Sequence, residues 1–205
     1  MNIIDTTLNN LIRKTMIGQC DSDQHVLTLF SIVLQIKAKN ILELGVCNGN
    51  TTEPLLLGAF MNNGKLTSID IEPTHWTPPQ DFALTWQFIQ IDAIQFLNNC
   101  IVENKKFDVI FIDDFHKYEH VKKELELIDS LTNVNSIIFL HDLMGEWCHP
   151  NYFLPTSNRY NGQVWEGGGP YRAVNELDPQ KWEWSTIPVN NGLTILRKKS
   201  KVITL

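Results

Sequence analysis

The sequence predicts an α/β fold: a mostly parallel sheet with helices between its strands and a hairpin at its end. Short apolar runs alternate with helical segments along most of the 205 residues, which is typical of βαβ units. The run at 107–112 is almost continuously apolar, as a central parallel strand buried on both faces should be. Near the end, Asn190-Asn-Gly192 separates two further strands and is a strong turn signal. We therefore expect five parallel strands followed by a two-stranded hairpin.

The elements follow one another in a regular order. A weakly periodic segment over 2–20 precedes a firmer helix, for which Asp21-Ser-Asp23 offers N-caps. The Pro-rich piece 72–79 is predicted to be a loop. The predicted strands cover residues 41–45, 65–71, 86–91, 107–112, 136–140, 181–188 and 193–198. The predicted helices among them cover about 51–62, 93–103, 116–131 and 171–177.

Composition narrows the class of protein. With 43% apolar and 20% charged residues the chain can bury an ordinary core, and its length suits one domain, 1–205, with 1–39 as an N-terminal helical segment. The net charge of −6 argues against a broad nucleic-acid surface, which needs clustered Lys and Arg. No apolar stretch approaches the ~20 residues of a membrane span, and the N-terminus lacks a secretion signal. We expect a cytoplasmic protein that binds neither nucleic acid nor a membrane.

The most informative stretch is the run from Ile41 to Thr52, Ile-Leu-Glu-Leu-Gly-Val-Cys-Asn-Gly-Asn-Thr-Thr. An apolar strand enters a turn with Gly45 and Gly49 and then opens a helix. Such a turn lets the backbone approach a ligand closely and presents unpaired N–H groups to it. Asp70 ends the next strand, at the distance where a βαβ unit brings a carboxylate to a ribose. The dinucleotide fingerprint Gly-x-Gly-x-x-Gly is absent.

This turn resembles motif I of the class I S-adenosylmethionine (SAM) methyltransferases, Glu-x-Gly-x-Gly-x-Gly, with Cys47 in place of the middle glycine. Five βα units and a terminal hairpin also form the layout of that family, a Rossmann-like sandwich of seven strands with one antiparallel strand. The resemblance covers about residues 40–198 and implies SAM as the cofactor. The SAM-binding residues that it implies are Glu43, Gly45, Cys47, Gly49, Asn50, Thr51, Asp70, Ile71, Asp92, Ala93 and Asp113.

A second segment indicates which branch of this family the chain resembles. The run 111–119, Phe-Ile-Asp-Asp-Phe-His-Lys-Tyr-Glu, and the later pair His141-Asp142 are similar to a branch near the catechol-type and macrolide-sugar O-methyltransferases. The resemblance implies that Asp113, His141 and Asp142 hold a divalent ion and that His116 is the general base. Asp113, His116 and His141 would then be catalytic. Mg²⁺ prefers oxygen ligands and an imidazole suits Mn²⁺, Fe²⁺ or Zn²⁺ better, so the metal stays open.

Simpler explanations exist for three of these residues. Asp92 could serve simply as the N-cap of one helix, and His116 could serve as the N-cap of the next. His141 could hydrogen-bond Asp113 or Asp142 without any metal. These alternatives can be separated only by the geometry of the site.

The long segment 143–171 is rich in glycine and aromatic residues. Long loops in compact domains are usually functional or disordered, and this aromatic content argues against disorder. We expect the segment to cover SAM and to stack on a flat or sugar-like acceptor; alternatively, half of its aromatic residues pack against the hairpin. These residues are Trp147, Tyr152, Phe153, Tyr160, Trp165 and Tyr171.

The prediction is a SAM-dependent methyltransferase that acts on a hydroxyl group of a small metabolite, a sugar or a natural-product intermediate, with Mg²⁺ or Mn²⁺ as the candidate ion. One alternative is an N-methyltransferase without a metal. Another is a SAM-binding protein without activity, which the side chain at Cys47 favours and the acids beyond the SAM pocket oppose. A metal hydrolase built on Asp113, His141 and Asp142 would leave the glycine turn unexplained. The oligomeric state is not fixed by the sequence, and a homodimer stays open.

Overall fold

The computed structural model describes residues 2–144 and 169–200, which form a seven-stranded sheet covered by helices. The strands are β1 (Asn40–Leu44), β2 (Lys65–Asp70), β3 (Trp86–Gln90), β4 (Val109–Ile112), β5 (Ile137–His141), β6 (Trp182–Ile187) and β7 (Leu193–Lys198). The helices are α1 (Ile3–Ile17), α2 (Val26–Gln35), α3 (Thr52–Met61), α4 (Ala93–Val102), α5 (Tyr118–Leu131) and α6 (Gly169–Asn175). Within these described residues, no helix has the length and apolar character needed to cross a membrane.

The strand order across the sheet is β3-β2-β1-β4-β5-β7-β6. Strands β1 to β5 pair in parallel, and β7 runs antiparallel to both β5 and β6. The predicted fold class is therefore confirmed. The order of connection reverses between β1 and β4, and in open α/β sheets ligands bind beyond the C-terminal ends of the strands at such a point.

Hydrophobic cores cover both faces of the sheet. Because successive side chains of a strand point to opposite faces, β4 sends Ile110 and Ile112 into one core and Val109 and Phe111 into the other. The first core lies under α4, α5 and α6, and the second lies under α1, α2 and α3. None of these four side chains is more than 3% exposed, so β4 is buried on both faces, as its apolar run predicts.

The N-caps predicted at Asp21-Ser-Asp23 are wrong. A short 3₁₀ turn over Asp23–His25 precedes α2, and neither the turn nor α2 has a side-chain cap. The Asp23 carboxylate instead accepts hydrogen bonds from the N–H groups of Gln19 and Cys20, at 2.8 and 2.9 Å. The Asp23 carboxylate therefore faces the turn at Gln19 and Cys20. This arrangement allows Asp21 and Ser22 to face the sheet.

The helix predicted to begin at His116 begins at Tyr118 instead. Lys117, the residue before it, has extended backbone angles and makes no side-chain cap. The imidazole of His116 is turned away from the helix and contacts two carboxylates at the sheet edge. His116 is therefore not the cap of α5.

Candidate active site

The turn after β1 depends on two glycines with positive φ, Gly45 at 89° and Gly49 at 74°. A Cβ atom on Gly45 would lie 2.3 Å from the carbonyl oxygen of Asp113, so only glycine allows this turn to pack against the end of β4. A Cβ atom on Gly49 would lie 2.2 Å from the indole of Trp76. Gly49 therefore sits beneath Trp76, away from the cavity that the turn borders.

Glu43 lies behind the turn and is fully buried. Its carboxylate accepts hydrogen bonds from Thr51 Oγ1 at 2.8 Å, Thr52 Oγ1 at 2.8 Å and Ser68 Oγ at 2.6 Å. Trp86 Nε1 donates to the same Ser68 oxygen at 2.9 Å, which directs the serine hydrogen toward Glu43. Burial raises the pKa of Glu43 to about 7, although the three hydroxyl donors oppose the rise. Glu43 thus fastens the turn to the sheet from inside and does not reach the cavity.

This buried carboxyl should make stability depend on pH. Because the pKa of Glu43 is about 7 in the folded state against an ordinary 4.5, its contribution is fully present below about pH 4.5 and is lost as pH rises through 7. Between pH 5 and 8 the wild-type free energy of unfolding should fall by about 2–3 kcal/mol more than that of Glu43→Gln. Urea titrations of both proteins across this range measure the difference, and parallel pH curves would contradict it.

A cavity of about 650 Å³ opens at the C-terminal edge of β1, β2 and β4. Of the predicted SAM-binding set, Glu43 and Gly49 do not line it. Isoleucines from the ends of β2 and β3 form an apolar wall, with Ile71 67% exposed. The predicted residues that do line it are Gly45, Cys47, Asn50, Thr51, Asp70, Ile71, Asp92, Ala93 and Asp113.

Two carboxylates mark the cofactor half of this cavity. Asp70 Oδ2 accepts from the N–H groups of Val46 and Cys47, at 2.9 and 3.2 Å, and its Oδ1 accepts from that of Glu72 at 2.9 Å. Asp92 Oδ1 caps α4 by accepting from the N–H of Gln95 at 2.9 Å. Since a carboxylate has about four lone-pair sites, both groups can accept further hydrogen bonds from a ligand in the cavity.

Cys47 has a positive φ of 45° and an exposed side chain at the cavity wall. Glycine adopts this angle without strain, so Cys47→Gly should retain the fold and S-adenosylhomocysteine (SAH) binding within a few-fold of wild type. Cys47→Phe should place a ring in the cavity and lower SAH affinity by at least about tenfold, or 1.4 kcal/mol. Calorimetric titration with SAH measures both effects, with Cys47→Ser as the size-matched control. Equal affinity in wild type and Cys47→Phe would place this side chain away from the ligand.

The side of the cavity at the ends of β4 and β5 is built around His116. Its Nε2 atom lies 2.9 Å from Asp142 Oδ2 and 3.2 Å from Asp113 Oδ1. Burial favours the neutral ring, but the two carboxylates prevail and raise the pKa of His116 to about 10. The charge of His141 and the contact with His116 hold the pKa of Asp113 below its ordinary range, against the effect of burial. The contacts with His116 and His141 do the same for the pKa of Asp142. His116 thus lies between two carboxylates that favour its protonated form.

His141 lies behind this pair and is only 2% exposed. Its Nδ1 atom lies 3.2 Å from Asp142 Oδ1 and 3.5 Å from Asp113 Oδ1. Neither contact has the direction of a hydrogen bond, and neither ring nitrogen has a hydrogen-bond partner among the described residues. His141 therefore contacts Asp113 and Asp142 as an ion-pair partner, without a hydrogen bond of ordinary direction.

These side chains fit a divalent ion. One ligand atom each from Asp113, His116 and Asp142 lie within 4.8 Å of one another, and the same holds for Asp21, His141 and Asp142. Buried imidazole nitrogens without hydrogen bonds, facing carboxylates, are what a metal site provides. Among the described residues, the predicted set Asp113, His141 and Asp142 is not itself one of these groups, although His141 Nδ1 contacts both carboxylates. A donor set that mixes imidazole and carboxylate suits Mn²⁺ or Zn²⁺ better than Mg²⁺.

Sequence reasoning missed Asp21. Asn191 Nδ2 donates to its carboxylate at 3.2 Å, and Asn190 Nδ2 donates to its carbonyl oxygen at 2.9 Å. The turn of the β6–β7 hairpin thereby holds the Asp21 segment against His141 and Asp142. Burial and the charge of Asp142 raise the pKa of Asp21. No local pattern signals this role, because the partners lie about 170 positions apart.

Other predicted features lie partly outside the site. The aromatic segment 143–171 falls outside the described residues except at its two ends, and Tyr171 is a half-exposed residue of α6. Near the site but outside the cavity lining, the hydroxyl of Tyr118, on α5, donates a hydrogen bond to Glu176. Tyr118 therefore joins α5 to the segment that follows α6.

Comparisons with known proteins agree with this architecture. Residues 42–143, about half of the chain, match a family model described as a methyltransferase domain, and no curated protein matches the sequence. An O-methyltransferase from Bacillus cereus in complex with SAH superposes with a TM-score of 0.63 at 17% identity, over 95% of this chain and 91% of that chain.

Two further solved structures share the fold. TomG of tomaymycin synthesis from Streptomyces achromogenes, in complex with SAM, gives a TM-score of 0.64 at 13% identity over 95% of this chain and 90% of that chain. MycE of the mycinamycin biosynthetic pathway, in complex with Mg and SAH, gives 0.60 at 14% identity over 90% of this chain and 51% of that chain. With this domain and this fold, the chain belongs to the class I SAM-dependent methyltransferases.

Proposed function

We propose that the protein transfers a methyl group from SAM to a hydroxyl group of a small molecule. The observation that carries the proposal is that one cavity joins the carboxylates Asp70 and Asp92 to the histidine–aspartate cluster around His116. The first part matches what a nucleoside requires, and the second matches what an acceptor hydroxyl requires. TomG, MycE and the Bacillus cereus protein, which are O-methyltransferases or methyltransferases seen with SAM or SAH, support it.

The charge of the cavity supports a cationic cofactor. When bound, SAM supplies an electrophilic methyl group on a positively charged sulfur. In this role Asp70 would accept from the ribose hydroxyls, and Asp92 with the N–H of Ala93 would meet the adenine edge. The described lining residues include no Lys or Arg. The carboxylates among them belong to Asp21, Asp70, Glu72, Asp92, Asp113, Asp114 and Asp142.

His116 is the group placed to take the proton of the acceptor. A hydroxyl is a poor nucleophile until it loses its proton, and an imidazole can accept one near neutral pH if the ring is neutral. A divalent ion held by Asp113, His141 and Asp142 would supply positive charge that lowers the pKa of a nearby hydroxyl. Carboxylates that bound such an ion would stabilise an imidazolium less, and His116 Nε2 would then be able to accept a proton.

The alternatives account for less of the site. An amine acceptor requires neither a base nor an ion, and the buried His116–Asp142 and His141–Asp113 contacts would then have no task. A protein that only bound SAM would not need the same cavity to continue to that cluster. A metal hydrolase would leave the glycine turn and the apolar Ile71 wall unexplained. The proposed acceptor is a small hydroxylated molecule.

The test of the cofactor is direct. Asp70→Ala should weaken SAH binding by on the order of 1–3 kcal/mol through lost hydrogen bonds to a charged acceptor. Asp81→Ala, an exposed aspartate on the following loop, is the matched control and should bind SAH as wild type does. Calorimetry with SAH and with NAD decides the matter. Binding of NAD without any response to SAH would overturn the proposal.

A further inference from the structure

A second group of metal-ligating side chains lies beside the first. It consists of Asp114, at the end of β4, and of His120 and Glu124 on α5. Residues four apart on a helix share one face, so His120 and Glu124 point the same way, toward Asp114. One ligand atom from each of the three residues lies within 4.8 Å of the others. None of the three belongs to the Asp113–His116–His141–Asp142 cluster.

Glu124 has no hydrogen bond to explain its position. Its side chain is 0% exposed, and neither carboxylate oxygen has a hydrogen-bond partner among the described residues. His120 Nε2 lies 3.5 Å from its Oε1 atom, and Asp114 is a second polar neighbour. A buried carboxylate without donors is costly unless a proton or a cation neutralises it. Burial and the charge of Asp114 accordingly raise the pKa of Glu124 well above its usual range.

The spacing of the donor atoms also suits an ion. His120 Nε2 makes a long hydrogen bond of 3.3 Å to Asp114 Oδ2 and lies 3.5 Å from Glu124 Oε1, whereas the usual hydrogen-bond length is about 2.7–3.2 Å. Ligands about 2.0–2.1 Å from a tetrahedral Zn²⁺ ion lie roughly 3.3–3.4 Å from one another. One imidazole and two carboxylates are also a donor set that such ions accept, and their two negative charges balance the ion.

We propose that Asp114, His120 and Glu124 form a second divalent metal site, for a Zn²⁺-type transition-metal ion, in the wall of the active-site cavity. Asp114 and His120 line the cavity while Glu124 closes the site from behind. An ion among them can therefore take a further ligand from the cavity side, either water or a polar group of a bound molecule. The ligands of this site are distinct from those of the proposed acceptor cluster, so its occupancy can be tested separately.

The test counts bound ions in the full chain. After EDTA treatment and dialysis, the protein is titrated with Zn²⁺ by calorimetry and with Co²⁺ by visible absorption, which reports the ligand geometry. Glu124→Gln keeps the shape of the side chain but removes its charge. Glu126→Gln, an exposed glutamate on the same helix that pairs with Lys123, is the matched control.

The expected result is that Glu124→Gln binds one ion fewer than wild type, or binds that ion at least roughly tenfold more weakly, while Glu126→Gln matches wild type. The Asp113→Asn/Asp142→Asn double variant should retain the ion that Glu124→Gln loses. Circular dichroism checks folding, and His120→Asn replaces Glu124→Gln if that variant does not fold. Equal ion counts and affinities in wild type and Glu124→Gln would overturn the second site, as would loss of every ion from the double variant. Both results are independent of whether SAH binds.

Discussion

Replacing His116 with alanine is expected to lower methyl-transfer turnover by roughly 10²–10⁴-fold, the usual range for a lost general base. The imidazole lines the cavity with its Nε2 atom fixed between Asp113 and Asp142. No other described histidine has that position, since His141 is buried behind the cluster. The change removes the proton acceptor and leaves the Asp70 half of the cavity intact, so SAH affinity should stay close to wild type.

The measurement is the rate of SAH release with a hydroxylated acceptor, chosen by screening sugars and phenols against the wild-type enzyme. His75→Ala provides the control, because His75 is exposed on the 72–79 loop and does not line the cavity. Turnover of His116→Ala within about threefold of wild type, with normal SAH binding, would show that another group takes the proton.

Removing the Asp142 carboxylate should lower methyl-transfer turnover by a factor comparable to that of His116→Ala. Its carboxylate contacts both imidazoles, at 2.9 Å from His116 Nε2 and 3.2 Å from His141 Nδ1. Asp142 has a positive φ of 65°, an angle that asparagine tolerates better than alanine, so Asp142→Asn is the replacement of choice. Loss of several kcal/mol of charge stabilisation corresponds to a fall in turnover of roughly 10²-fold or more. SAH affinity should be nearly unchanged.

A metal requirement can be separated from a purely structural effect of this change. EDTA-treated wild-type enzyme should regain activity with Mg²⁺ or Mn²⁺, whereas an Asp113→Asn/Asp142→Asn double variant should not. Elemental analysis of dialysed wild-type protein gives the ion content directly. Full activity in EDTA, in a sample without metal, would leave His116 and His141 as a metal-free pair and would favour N-methylation.

The parts of the fold that sequence predicts well are those fixed by local patterns. The continuous apolar run of β4 identifies a central strand, and Asn190-Asn-Gly192 identifies the hairpin. The carboxyl ends of parallel strands meet at one edge of a sheet, so residues that follow different strands can be expected in one site. Asp70, Asp113 and Asp142 line one cavity for that reason.

The parts that sequence does not predict depend on contacts between distant segments. The 72–79 loop places Trp76 over Gly49, and no local signal in that Pro-rich stretch predicts this cover. Glu43 turns inward because hydroxyl donors come from both the next helix and the next strand. The raised pKa of His116 depends on its distances to two carboxylates. The spacing of these residues in the sequence does not predict those distances. The local sequence predicts a helix cap at Asp21, because its actual partners in the hairpin are far away in the chain.

The tie between Asp21 and the hairpin turn also bears on the order in which the molecule folds. The turn after β1 closes over a short stretch of chain, since Val46 and Asp70 lie 24 residues apart. The hydrogen bond that holds the Asp21 segment joins Asn190 to Asp21, 169 residues apart. By the logarithmic law for loop closure, the longer loop costs roughly 2 kcal/mol more entropy. We therefore expect a folding chain to close the turn around Asp70 before the hairpin fixes Asp21 beside His141.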